Sequence, residues 1–131
     1  MRKLFLIVVA FLPLLTFGQA HLGLSESEIK NKYPEKSFET DYTDEGQKYI
    51  STFMIYGTFV YYFDKETGLS SSCIQVVDEL PYLNGQVEAY NKKYVIISDT
   101  KWKAYLEGGG IINIELVYKE EYKLYVFYYT D

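Results

Sequence analysis

The chain has 131 residues, 48% hydrophobic and 18% aromatic, with 13 basic and 18 acidic side chains for a net charge of −5. That balance disfavours nucleic acid and anionic lipid, which both require a basic patch. A single histidine and a single cysteine cannot supply the usual zinc ligand set or an internal disulfide.

Residues 1–20 read as a secretory signal peptide. Arg2 and Lys3 precede the apolar run Leu4 to Leu15, and Gly18 and Ala20 stand third and first before a cut that would make His21 the mature amino terminus. The run is too short and too early for a membrane span. No cysteine stands at the cut, which argues against a lipid anchor. An exported chain, periplasmic or extracellular, with no stable membrane span after cleavage is the expectation. Loss of Arg2 and Lys3 takes the net charge from −5 to −7. The remaining 21–131 fit one domain with one core.

Leu24 to Ile29 opens with Ser25 and Glu28 as a capping box, Leu24 and Ile29 bracketing it as a hydrophobic staple. Ile29 and Tyr33 share one face of a helix that must end near Pro34. Glu35 to Gln47 is polar. Its Asp41, Asp44, Glu45 and Gly46 lack the spacing of a calcium loop, so a solvated turn is expected.

Lys48 to Val77 then reads as three antiparallel strands, because β-branched and aromatic runs are separated by Tyr56-Gly57 and by Asp64 to Gly68. Gly68 sits where a turn hands over to a residue at positive φ. Cys73 lies in an apolar run and reads as a buried small hydrophobe. Asn84 is placed to cap a second short helix over Gly85 to Lys92, with Val87 and Tyr90 on its inner face. Tyr94 to Ile97 is a brief β-like run. Trp102, Ala104 and Leu106 alternate as a half-buried strand, Gly108 to Gly110 turn the chain, and Ile112, Ile114 and Leu116 point inward. A turn at Lys119 to Glu121 leads into a last strand from Tyr122 to Tyr129.

A shift of 53 places sets Tyr49 on Trp102, Gly57 on Gly110, Phe59, Tyr61 and Phe63 on Ile112, Ile114 and Leu116, and Cys73 on Val126. This suggests α-β-β-β written twice, over about 25–78 and 83–131. The expected fold is α+β, an antiparallel sheet of about six strands with two short helices on one face.

Catalysis has little to work with. His21 is the only histidine, so a copper-binding histidine brace and Ser-His-Asp or Cys-His chemistry all fail for want of partners. The acids are plentiful, yet the hydrophobic pattern points none of them inward as a glycosidase pair. No catalytic residue, cofactor or metal is expected, and the chain is not expected to be an enzyme.

Alternation leaves one surplus. If Ile112, Ile114, Leu116, Leu124 and Val126 face the helices, then Tyr125, Phe127 and Tyr129 face the other side, with Val60, Tyr62, Ile74 and Val76. An open sheet face should be mostly polar, and an apolar one marks a binding surface. Tyr62, Tyr125, Phe127 and Tyr129 are therefore the candidate partner-binding residues, with another protein as the partner.

The signal peptide, the Ser25 to Tyr33 helix and the strand triplets from Lys48 and Lys101 give the chain an architecture that resembles small exported helix-plus-meander modules. These include the β-lactamase inhibitory protein, the small outer-membrane-assembly lipoproteins and propeptide-like domains of bacterial envelope proteins. The chain departs from the first in its disulfides and from the second in its acylated cysteine. The resemblance implies a protein-binding or inhibitory module of the bacterial cell envelope acting through its sheet face. The alternative is a carbohydrate- or small-ligand-binding domain, with aromatic rings stacked on sugars.

Overall fold

The computed structural model describes residues 20–107 and 109–131. All of the expected signal peptide except Ala20 lies outside the described residues, as does Gly108 of the glycine turn.

The Ser25 cap starts the first helix as expected. Its side chain accepts from the Glu28 backbone N–H at 3.2 Å, and Glu28 Oε1 accepts from the Ser25 N–H at 2.9 Å. A cap of this kind stabilises by about 1 kcal/mol. Glu26 adds ion pairs to Lys30 at 2.7 Å and to Lys48 at 2.5 Å, the second tying the helix to the sheet. Helix α1, Glu26–Lys32, is followed by strands β1 Glu39–Tyr42, β2 Lys48–Met54, β3 Gly57–Phe63 and β4 Ser70–Val77. Helix α2, Leu80–Lys93, is followed by β5 Val95–Ser98, β6 Lys101–Tyr105, β7 Ile111–Lys119 and β8 Leu124–Thr130.

The eight strands form one antiparallel sheet in the order β1-β2-β3-β4-β8-β7-β6-β5. Each half is a helix and a four-strand meander, and the halves join through β4 and β8 in the middle. The expected six strands become eight because β1 and β5 close the two edges. β1 comes from the polar stretch read as a turn. All four of its residues are exposed, so it joins by backbone pairing and leaves no apolar alternation in the sequence. The turn itself follows at Thr43 to Gln47, where the Thr43 N–H donates to Gln47 O at 2.8 Å and Lys65 donates to the Glu45 carbonyl.

α2 starts five residues before Gly85, with Glu79 in the cap position and Pro81 in the first turn, where a missing N–H costs nothing. Asn84 is therefore inside the helix. The turn before β3 needs Gly57, at φ +122, and Gly68 has the expected positive φ of +71.

Both helices lie on one face. Ile29, Leu83 and Tyr90 from the helices bury against Ile50, Phe59, Tyr61, Trp102, Ile114 and Phe127 from the sheet. Cys73 is a buried free thiol in this core, and burial pushes its pKa well up, away from the reactive thiolate.

The repeat of 53 holds for the middle strands, where Phe59 and Tyr61 face inward as Ile112 and Ile114 do. It fails at its ends. Ile50 is the buried neighbour on β2, and Tyr49 lies on the face opposite that of Trp102. Cys73 is on the inner face and Val126 on the outer. Differences in hairpin loop length change the face onto which a fixed shift maps.

Candidate binding face

Directly paired residues share a face of the sheet. Ile114 pairs with Tyr129 and Leu116 with Phe127, which puts Phe127 and Tyr129 on the helix side. Phe127 is 0% and Tyr129 2% exposed. Tyr125 lies on the same side, half-buried against the core, its ring 4.7 Å from that of Tyr118. The expected outward direction of these three residues is thus corrected. Only Tyr62, of the four candidates, is on the outer face.

The error is one of parity. The turn between β7 and β8 occupies Glu120 to Lys123, four residues, with Lys123 at φ +55. A turn of three residues at 119–121 shifts the pairing by an odd number and exchanges the two faces of β8.

Under α2 the inner face holds a polar cluster. The Gln75 and Gln86 side-chain amides bond reciprocally at 2.7 and 2.8 Å. The Tyr129 hydroxyl donates to Gln75 Oε1 at 2.7 Å and lies 2.7 Å from the Tyr90 hydroxyl. Gln75 Nε2 also donates to Tyr56 O at 3.0 Å. Burial raises the Tyr90 pKa to about 12 and that of Tyr129 well above its usual value, so both phenols stay neutral. Every polar atom named has a partner, which makes the cluster a structural lock on α2.

His21 is a partly buried polar group, its Nε2 2.6 Å from the Tyr33 hydroxyl and its ring 6.1 Å from Tyr61. Burial, then the Lys32 charge, lowers its pKa from 6.5 to about 4. Burial raises that of Tyr33 to about 12, so the phenol donates to a neutral imidazole. The unfolded chain then binds this proton more readily than the folded one. The stabilisation is complete above pH 6.5 and is lost as pH falls toward 4. Glu26, Glu28 and Asp64 have lowered values and add their own loss only below their ordinary values of 4.5, 4.5 and 3.8. The urea midpoint should therefore fall between pH 6.5 and 5, and His21→Gln should flatten that slope.

The outer face is laid out in rows across the sheet. One runs from Asp41 on β1 through Tyr49 and Tyr62 to Asn113 and Lys103 on β6. The next runs from Glu39 through Val60, Ile74 and Tyr128 to Glu115 and Lys101. The third holds Phe53, Thr58, Val76, Val126 and Val117. Apolar side chains thus fill the middle of the second and third rows, the middle of the first is Ser72, Thr130 and Asn113, and charges stand on β1 and β6, with Val95 and Ser98 of β5 beyond the lysines.

A groove of about 510 Å³ opens beside the centre, lined by Ile74, Val76, Val117, Leu124 and Val126 with Tyr122 on its wall. Lys119 Nζ sits 5.4 Å from the centre of the Tyr128 ring, and a hydrogen bond from the ammonium to that phenol raises the Lys119 pKa. The Tyr62 ring lies 5.3 Å from that of Tyr49, and burial raises its pKa. Among the described residues no cluster of three metal-ligating side chains occurs.

No family model matches this chain. No curated protein and no solved structure matches it either. Among the described residues no helix is long and apolar enough to cross a membrane.

Leu124, Val126, Tyr128 and Val117 were the outer-face residues hidden from sequence reasoning. The signal that could have found them is Glu120-Glu121-Tyr122-Lys123, a polar four-residue turn whose length sets the parity of everything after it.

Proposed function

We propose that this chain is an exported, non-enzymatic module of the bacterial cell envelope that binds another protein through the outer face of its sheet. The observation that carries the reading is the apolar centre of that face, the half-buried Val60, Ile74, Val76 and Tyr128 around a buried Val126, with charges on β1 and β6 to either side. An antiparallel sheet face meant for water alternates to polar side chains here. Tyr128 and Tyr62 supply large, stiff contact area with a polar tip.

Tyr49, Tyr62 and Tyr128 also favour a second reading, sugar binding by ring stacking. Ser51, Ser72 and Thr130 stand beside the rings, but the reading ranks lower because the centre of the second and third rows, Val60, Ile74 and Val76, offers no hydrogen-bonding partner to sugar hydroxyls.

A photo-crosslinking amino acid at position 128 should give a protein adduct in the envelope of the producing cell, while the same group at Tyr82 on the helix side gives none. Ile74→Lys should abolish the adduct, and because Ile74 is half-buried the variant's folding is checked by its denaturation midpoint before the loss is read as lost binding. Saturable binding on a glycan array with no protein adduct would favour the sugar.

A further inference from the structure

The binding reading of the outer face leaves its occupant open, and the charges on β1 and β6 name one. Asp41 on β1 and Lys103 on β6 stand on the same row, and Glu39 and Lys101 on the next, so β1 presents acids and β6 bases, with Val95 and Ser98 of the edge strand β5 beyond them. We infer that the face is the contact between two copies of this chain, stacked sheet on sheet about a two-fold axis parallel to the strands and lying over β4.

This axis keeps each row at its own height and reverses its direction. Asp41 of each copy then lies over Lys103 of the other, and Glu39 over Lys101. Ile74 and Val76 meet their own counterparts at the axis. A two-fold axis across the strands instead stacks Glu39 and Asp41 on themselves, which like charges oppose. Two sheets of the same twist nest face to face in this way, about 10 Å apart, a gap that Asp and Lys side chains span.

The area is sufficient. Six strand spacings of about 4.8 Å and three rows give about 600 Å² per copy, or about 1,200 Å² in total, the lower end of stable interfaces. Within the second row Glu115 already lies 3.9 Å from Lys101. Lys103 and Asp41 are therefore the more decisive pair.

The protein expressed from its whole coding sequence should sediment as a concentration-dependent dimer between about 1 and about 100 µM. Asp41→Lys and Lys103→Glu should each weaken the dimer at least about 10-fold, because each sets like charges opposite one another twice. The two single variants mixed together should form a heterodimer, and the double variant should dimerise as the parent does. Circular dichroism of each variant distinguishes misfolding from lost association. A parent that stays monomeric to the highest concentration, or a dimer indifferent to both single changes, overturns the inference. If that monomer still gives the adduct from position 128 to a different protein, the binding face stands and only the identity of its occupant is wrong. A monomer without any adduct removes both.

Discussion

A Gly57→Ala protein should lose about 4 kcal/mol of stability, the sum of forcing a side chain into a left-handed backbone and of packing an atom where none fits. Gly57 has φ +122, and a Cβ there would lie 1.9 Å from the Val76 carbonyl oxygen and 2.9 Å from its carbon. Those are backbone atoms of the neighbouring central strand, which cannot turn aside as a side chain can. Denaturant unfolding should show the midpoint falling steeply. A change below about 1 kcal/mol would mean that the turn between β2 and β3 adopts another conformation.

Phe127→Ser should cost a comparable or larger amount. Removing a buried phenylalanine costs about 3 to 5 kcal/mol, and a serine hydroxyl left without a partner adds to this. Phe127 is 0% exposed and its ring packs 5.5 Å from that of Tyr90 and 6.2 Å from that of Trp102. Against a total stability of about 5 to 15 kcal/mol such a loss unfolds much of the population. The neighbouring Tyr128→Ser, on the other face, should be mild. Near-equal melting temperatures for the two variants would contradict the observed pairing of β7 with β8.

These two residues mark where the sequence was legible and where it was not. The capping box at Ser25, the positive φ at Gly68, the inward row Ile112 and Ile114 and the buried Cys73 follow from local chemistry, and each appears as expected. β1 was hidden because Glu39, Thr40, Asp41 and Tyr42 bury nothing and are held only by backbone bonds to β2, a signal absent from side-chain identity. β5, although also exposed, kept enough β-branched character in Val95 and Ile96 to show as a strand run.

The candidate face was legible in half. Val60, Tyr62, Ile74 and Val76, carried to the outer side by the repeat, do lie there, but Ile74 and Val76 map by that shift onto Phe127 and Tyr129 of the inner face, so on β4 two errors of parity cancelled. On β8 the run Leu-Tyr-Val-Phe-Tyr-Tyr is apolar on both sides, so composition cannot choose between them. Only the turn length can, and one residue of error there exchanged Phe127 with Tyr128.

β8 follows the seven other strands in chain order, yet its place is in the middle of the sheet, between β4 and β7. The first four strands must wait, with β4 unpaired along one side, until residues 124–130 arrive. Nothing made earlier can substitute for that insertion. Losing the final hairpin would therefore split the molecule down its centre, and the two remaining pieces would each expose a raw, hydrogen-bond-hungry border.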